Sequence, residues 1–412
     1  MNDDSGRKRR PASYLRYSLL ALAAFLVLSL GFALIPRESP APAAPPFSEQ
    51  ARTAALAETL DLRAASQQLV NGSSGARRQL FSHAVTLLTT QARALLLPGS
   101  ATSSPAAGLS GTAIPSATAS SGTAASGTAT LPALVAALSK SGKERLAHAE
   151  KADGGMARLL AAVGTAQLLQ ATTLAQAAGS APPPLPAPAA TKRHAAAACA
   201  AASDSSAASQ NGAEPTNGAP SGKSDQSGNS DPSGNSAQSG QTADPSGNAT
   251  LAAALGRAVR TEVETVYGYQ VALTRMDGAA AEQAAGLLAT HEALVGQAEA
   301  YTRVHCVAVP PREPGYTLGT SFLQKPAAGL ASLEAGTLPV YGDLVALSDG
   351  ETRKWAVSSL VAAAQRTMRW GSDPGPVPGI VLDTTLLPEL PEPAEPSASQ
   401  TGTGAPSAPA VP

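Results

Sequence analysis

The chain is poor in aromatic residues and nearly neutral. Only 3% of the 412 residues are Phe, Trp or Tyr, whereas 34 are Pro and 37 are Gly, so much of the chain lacks the side chains that fill a core. The formal net charge is -1, and no basic stripe interleaved with aromatic residues follows the amino terminus. This composition gives no electrostatic basis for binding nucleic acid, and we set nucleic acid aside as a partner.

Several catalytic signatures are also missing. The Ser, His and Asp residues show no nucleophile-elbow pattern, and no glycine loop of the phosphate-binding type is present. None of the five histidines follows a glutamate by three residues, which is the spacing that a di-metal four-helix bundle uses. The sequence therefore predicts no catalytic residue and no complete di-metal centre.

The amino-terminal segment carries the longest apolar run. Residues 1–16 form a basic tail, and residues 17–35 are almost all Leu, Ala, Val and Phe. A helix of this length, at about 1.5 Å per residue, spans the roughly 30 Å of a bilayer core. The pattern predicts one membrane anchor with its amino terminus in the cytoplasm and the remaining chain outside, because positive residues stay on the cytoplasmic side. A cleaved export signal is the alternative interpretation, since Ala41-Pro42-Ala43 resembles a cleavage site.

Composition divides the middle of the chain into helical and low-complexity segments. After a Pro/Ala spacer at 36–47, an Ala-rich region at 48–179 contains four predicted helices and is interrupted by a Ser/Thr/Ala/Gly loop at 98–130. Residues 180–247 predict a disordered linker. A compact pair of helix hairpins is favoured over an extended stalk for the helical region, because a stalk leaves its leucines in contact with water.

The stretch 248–380 mixes charged, aromatic and aliphatic residues as a packed domain does, and a Pro-rich tail predicted to be disordered follows at 381–412. Apolar spacing predicts four helices, with Pro339 expected to kink or break the third. Short turns join the first helix to the second and the third to the fourth, whereas the connection at about 304–325 is long enough to run the length of a bundle. The fold prediction is all-α, with a ferritin-like four-helix bundle at 248–380.

This stretch also carries a set of short motifs. They are the run Glu262-Val-Glu-Thr-Val-Tyr-Gly-Tyr-Gln270, His291 with Glu292, the crossover Pro310-Pro-Arg-Glu-Pro-Gly-Tyr316, the Leu333-Glu334 pair, and the ending Arg366-x-x-x-Trp370-Gly371. Together they resemble an actinobacterial ferritin-like family of unassigned function, over roughly residues 251–379. The resemblance implies a four-helix domain behind a membrane anchor or an export signal, and it implies no substrate.

Four polar residues fall on the inward faces of the predicted helices. Glu262, His291 and Glu334 lie where such a bundle holds metal ligands, whereas the fourth helix offers Arg366, which repels a cation and pairs with a carboxylate. The sequence favours a buried polar cluster of these four residues with no cofactor. The alternative is an iron or manganese site with fewer ligands than a di-metal centre, namely Glu262, His291 and Glu334.

The functional prediction follows from these features. We expect a membrane-anchored, extracytoplasmic, non-catalytic binding or structural module of the cell envelope, with an envelope protein as a possible partner. The alternative is a metal-binding or oxidoreductase protein that uses the smaller site at Glu262, His291 and Glu334.

The chain has only two cysteines, Cys199 in the linker and Cys306 near the end of the second predicted helix of the bundle. An even count in an exported chain favours pairing, because the extracytoplasmic setting is oxidising. The prediction is an intramolecular disulfide between Cys199 and Cys306. The alternative is that Cys306 is a small core residue and Cys199 a free or intermolecular thiol.

Overall fold

The computed structural model describes residues 18–26, 44–96, 129–186 and 250–391. Over these ranges the chain is all-α, with ten helices and no strand. Helix α1, at residues 18–26, belongs to a separate unit from the one that begins at Pro46. None of the described helices is both long enough and apolar enough to cross a membrane. Of the anchor predicted at 17–35, only residues 18–26 are described.

Four helices form a first bundle: α2 (Phe47–Asn71), α3 (Gly75–Leu95), α4 (Leu131–Ala149) and α5 (Gly154–Ala177). Helix α2 packs against α3, α4 packs against α5, and α2 also packs against α4. The backbones of α4 and α5 approach closely at Gly142 and Gly164, where a Cβ atom added to either glycine comes within 3.0 Å of the carbonyl oxygen of the other. Glycine therefore permits the contact that joins these two helices.

The second bundle repeats this connectivity. Its helices are α6 (Leu251–Leu273), α7 (Gly278–Val304), α9 (Pro326–Leu347) and α10 (Gly350–Arg369), and the short helix α8 (Thr320–Gln324) lies in the crossover between the two hairpins. Helix α6 packs against α7, α9 against α10, and α6 also against α9. In both bundles the first helix therefore contacts the second and the third, and a long connection separates the two hairpins.

Pro339 was expected to kink or break the third helix of this bundle; it does not break it, because α9 continues through Pro339, and the kink stays a prediction. Proline removes one backbone hydrogen bond, but the flanking residues Leu338, Val340 and Tyr341 are buried and hold the helix in place. The sequence analysis also missed α8, whose five residues are too few for an apolar period.

The two bundles share one hydrophobic core. Helix α5 is buried on nearly all sides and contacts α9 and α10 of the second bundle. A single cluster of buried residues contains Leu160 and Val163 of α5 together with Leu344, Val357 and Leu360 of the second bundle. A helix that is apolar all round lies inside a larger core. The two bundles therefore form one packed body.

The segment after α10 lies along the first bundle. Arg93 of α3 donates hydrogen bonds to the carbonyl oxygens of Thr384, Leu387 and Pro388, at 3.3, 2.7 and 2.9 Å. Residues 381–391, which the sequence analysis assigns to a disordered tail, are thus attached to α3. Backbone carbonyls accept these bonds whatever the side chains are, so the sequence contains no signal for the attachment. Residues 392–412 lie outside the described part.

One of the two cysteines, Cys306, lies in the described part of the chain. Cys306 follows α7 with a positive φ of 55°, and it is not a free thiol. Cys199 lies outside the described residues, as do most of the predicted loop at 98–130 and most of the linker at 180–247. The pairing of Cys199 with Cys306 stays a prediction.

Candidate functional site

Each of the four long helices of the second bundle places one polar side chain at the centre of that bundle. These side chains are Glu262 of α6, His291 of α7, Glu334 of α9 and Arg366 of α10. All are buried, and the most exposed of them, Arg366, retains 5% of its accessible surface. The structure thus brings together the four residues that the sequence analysis selected, and we call them the charged cluster.

His291 lies between the two carboxylates. Its Nδ1 is 2.6 Å from Oε2 of Glu262, and its Nε2 is 2.9 Å from Oε1 of Glu334. An ionised carboxylate only accepts hydrogen bonds, and both ring nitrogens of histidine donate only when the imidazole is protonated. The geometry therefore favours an imidazolium held by two carboxylates.

A glutamate and a tyrosine stand seven residues apart on both α6 and α9. The pairs are Glu262 with Tyr269 and Glu334 with Tyr341, and seven residues make about two helical turns, so each pair shares a face. The tyrosines bond across the bundle: the Tyr269 hydroxyl donates to Oε1 of Glu334 at 2.6 Å, and the Tyr341 hydroxyl donates to Oε1 of Glu262 at 2.5 Å. This exchange requires α6 and α9 to run in opposite directions.

Arg366 and Trp370 complete the network on the side of Glu334. The Nε of Arg366 donates to Oε2 of Glu334 at 2.9 Å, and the indole N–H of Trp370 donates to the Tyr269 hydroxyl at 2.7 Å. With His291 protonated, two cations face two carboxylates, and the formal charges of the cluster cancel. Such compensation is what allows four ionisable groups to be buried together.

The electrostatics agree with this assignment of protons. Burial alone lowers the pKa of His291, but the hydrogen bonds to Glu262 and Glu334 and the charges of those carboxylates together outweigh burial, and the net shift is upward. Burial alone raises the pKa of Glu334, but the hydrogen bonds from His291 and Tyr269 and the charges of Arg366 and His291 together outweigh it, and the net shift is downward. Burial and nearby carboxylates raise the pKa values of Tyr269 and Tyr341, so both phenols keep the protons that they donate.

The same geometry bears on the iron or manganese alternative. A metal-binding imidazole offers a nitrogen lone pair, whereas both nitrogens of His291 face carboxylate oxygens. All four carboxylate oxygens of the cluster already accept a hydrogen bond, and Arg366 places a positive charge beside Glu334. Within the described ranges, no group of three or more His, Cys, Asp or Glu side chains is placed to hold a metal ion. The residues of the charged cluster therefore do not fit an iron or manganese ion.

Sequence reasoning missed the tyrosines and the indole as members of the network. The available signal was the matching seven-residue spacing from Glu262 to Tyr269 and from Glu334 to Tyr341, on two helices of one bundle. The hydrogen bond from Trp370 to Tyr269 has no such signal, because it depends on how α10 ends beside α6.

The first bundle has a different polar centre. The side-chain nitrogen of Gln167 donates to Oε1 of Gln91 at 3.2 Å and to the Thr59 hydroxyl at 3.4 Å. Gln91 in turn donates to the carbonyl oxygen of Pro376, at 2.8 Å. Thr59, Gln91 and Gln167 are fully buried and carry no charge, and we call them the amide cluster.

The remaining histidines lie apart from the charged cluster. His83 and His148 belong to the first bundle, and His305 lies within 2.8 Å of the Thr352 hydroxyl through its Nε2. His194 lies outside the described residues.

The comparisons with known proteins concern the second bundle. Residues 254–381 match the family model of a domain of unknown function (DUF4439). No curated protein and no solved structure matches this chain. The matched residues include the whole charged cluster with Tyr269, Tyr341 and Trp370, whereas the amide cluster lies outside the match. The match covers under a third of the chain and assigns no activity to it.

Proposed function

We propose that this chain is a membrane-anchored, extracytoplasmic protein in which a ferritin-like helical domain serves as a non-catalytic binding or structural module of the cell envelope. The observation that carries the proposal is the charged cluster, in which both ring nitrogens of His291 are engaged by carboxylates. A centre whose imidazole nitrogens and carboxylate oxygens are paired with one another orients helices and leaves no imidazole nitrogen free to bind a metal ion.

The helix arrangement supports the ferritin-like part of the proposal. Two helix hairpins are joined by a long crossover, and the first helix packs against the third. A bundle with one long crossover is the ferritin-like variant of four-helix topology. The charged cluster occupies the position, between facing helices, at which such bundles hold metal ions.

The proposed location depends on the sequence of the amino terminus. A basic tail at 1–16 followed by an apolar run at 17–35 favours an anchor whose amino terminus stays in the cytoplasm. Protease added to intact spheroplasts is then expected to degrade the second bundle. Protection of that bundle until the membrane is lysed contradicts the proposed orientation.

The protonation state of His291 tests the structural role of the cluster directly. In the purified full-length protein at neutral pH, ¹⁵N NMR is expected to show both ring nitrogens of His291 protonated, and elemental analysis is expected to show no stoichiometric iron, manganese or zinc. A His291 nitrogen without a proton, together with a metal that is lost in His291→Ala, overturns the proposal in favour of the metal-binding alternative.

A further inference from the structure

The first bundle has a groove on its surface, apart from both polar clusters. The groove has a volume of about 590 Å³ and lies between α4 and the segment that follows α5. This volume lies within the range of pockets that hold small ligands. Its two walls differ in structure, and each follows from the local sequence.

One wall is a continuous stripe along α4. Pro132, Ala136, Lys140 and Lys143 line the groove at intervals of four, four and three residues, which places them on one face of the helix. The helix rises by roughly 18 Å over the twelve residues from Leu131 to Lys143. The lining residues near the amino end of α4 are apolar, and the two lysines lie at the other end of the stripe. The register of the helix therefore separates an apolar part of this wall from a basic part.

The other wall is the chain that reverses direction after α5. Gly179 has a positive φ of 67°, and the N–H of Ser180 donates to the carbonyl oxygen of Ala175 at 2.9 Å, which is the Schellman arrangement that ends a helix. Pro183 and Pro184 then line the groove. Proline has no N–H group to donate, so this wall adds apolar surface and few hydrogen-bond donors.

The charge of the groove has one sign. Lys140 and Lys143 are exposed, and no carboxylate among the described residues lines the groove with them. Within the described ranges neither lysine makes an ion pair or a side-chain hydrogen bond, whereas the adjacent Glu144 pairs with Arg145 at 3.5 Å. The aliphatic stems of the lysines extend the apolar wall while their ammonium groups stay in water. The groove thus offers positive charge that no lining carboxylate neutralises.

An apolar groove with unneutralised positive charge at one end is complementary to an anionic amphiphile. We propose that this groove binds a single-chain anionic amphiphile such as a fatty acid, as a monomer, with its negative group at the two lysines and its chain along Leu131, Val135 and Ala136. Burial of two methylene groups raises affinity about tenfold, whereas an exposed ion pair contributes at most about fivefold. The chain therefore sets the affinity, and the lysines set the preference for an anion. The inference rests on the proposed binding role and names a ligand class for it.

Calorimetric titration of the purified full-length protein in nanodiscs of neutral phosphatidylcholine tests the proposal, with empty nanodiscs as the lipid background. We expect decanoate to show one saturable site that empty nanodiscs lack, with an affinity about tenfold higher than that of octanoate. Neutral decanol is expected to bind this site about fivefold more weakly than decanoate, and decylammonium more weakly still. Absence of a saturable site, or equal affinity for decanoate and decylammonium, overturns the proposal.

Two pairs of variants then locate the site. Ala136→Trp places an indole in the groove and is expected to lower the affinity for decanoate about tenfold or more, whereas Ala137→Trp changes an exposed neighbour that does not line the groove and is expected to leave it unchanged. The double variant Lys140→Met/Lys143→Met is expected to lose the preference for decanoate over decanol, and the exposed Lys151→Met is expected to keep it. Equal affinities in Ala136→Trp and Ala137→Trp, or a preference that the double variant retains, contradict the assigned site. The NMR test of the charged cluster does not involve this groove, so the two proposals fail separately.

Discussion

The two bundles share a helix connectivity and differ in what they bury at the centre. The second holds four buried ionisable residues whose charges cancel, whereas the first holds the uncharged amide cluster and a fully buried cation, Arg145, which pairs with the partly exposed Glu58 at 3.1 Å. The helix arrangement alone therefore does not require buried carboxylates. Among the residues that the structure describes, the buried carboxylates and the family match both lie in the second bundle.

The difference between the two centres determines how much stability a single substitution removes from each. Neutral hydrogen bonds contribute about 1 kcal/mol each, so an amide cluster loses little when one member changes. A buried ion pair contributes little net stability over an apolar core, but removal of one partner leaves the other charge buried and uncompensated. A single substitution in the charged cluster is therefore expected to have a larger effect than one in the amide cluster.

The largest expected effect is that of Glu334→Ala. Glu334 accepts hydrogen bonds from His291, Tyr269 and Arg366, and its loss leaves Arg366 buried without a carboxylate partner. We expect a loss of about 3 to 5 kcal/mol in the free energy of unfolding. Urea unfolding followed by tryptophan fluorescence measures it, because both tryptophans, Trp355 and Trp370, lie in or beside the second bundle.

The matched control for this prediction is Glu282→Ala, which removes an exposed glutamate from the neighbouring helix α7. Its expected effect is within about 0.5 kcal/mol. Equal losses in the two variants contradict the ascribed role of Glu334 and place the second bundle on a par with the first.

The next largest effect concerns the disulfide bond that we predict between the linker and the second bundle. If Cys199 and Cys306 are joined, Cys306→Ser opens a loop of about a hundred residues, and the chain-entropy model gives a loss of up to about 4 kcal/mol. Cys199→Ser is the matched control: it should cost as much, and the double variant no more than either. Peptide mapping without reductant is expected to recover the two cysteine peptides joined, and two freely titrating thiols contradict the pairing.

A smaller effect is expected in the first bundle. Gln167→Leu keeps the side-chain volume but withdraws the N–H groups that Gln91 and Thr59 accept, while it also removes the Gln167 carbonyl oxygen, which has no hydrogen-bond partner among the described residues. These contributions oppose each other, and the expected net loss is about 1 kcal/mol. Far-UV circular dichroism during urea unfolding measures it. A loss as large as that of Glu334→Ala removes the contrast between the two centres.

Much of the second bundle could be predicted from its sequence, because the helices indicated by the 3.6-residue period and the long crossover between them are both present in the structure. The inward positions of Glu262, His291, Glu334 and Arg366 followed from that period. Their partners did not follow, since hydrogen bonds between helices depend on rotation and axial register, which a one-dimensional pattern leaves open.

The packing between the two bundles could not be predicted from the sequence. Helix α5 is alanine-rich and buried all round, so it has no polar face to show where its two neighbours lie. The attachment of residues 381–391 to Arg93 rests on backbone carbonyls, and the close approach of α4 to α5 at Gly142 and Gly164 rests on absent side chains. None of these contacts leaves an apolar period to detect.

The most diagnostic effect is the dependence of stability on pH. The pKa of His291 is raised in the folded protein, so its contribution is fully present below its unfolded value of about 6.5 and is lost as the pH rises through the folded value. The pKa of Glu334 is lowered, so its contribution is present above about 4.3 and is lost as the pH falls through the folded value. The charged cluster therefore stabilises most between about pH 4.5 and 6.5, with a change of about 1.4 kcal/mol for each unit of pKa shift.

The amide cluster contains no group that titrates in this range, which provides the control. The difference in unfolding free energy between the natural protein and His291→Gln is expected to be largest near pH 6 and to shrink towards pH 9, because only the histidine can lose its proton. The difference between the natural protein and Gln167→Leu is expected to stay flat over the same range. Two parallel flat profiles mean that His291 is buried as neutral imidazole, in which case one of the flanking carboxyls carries the proton and the remaining carboxylate and Arg366 are the charged groups of the cluster.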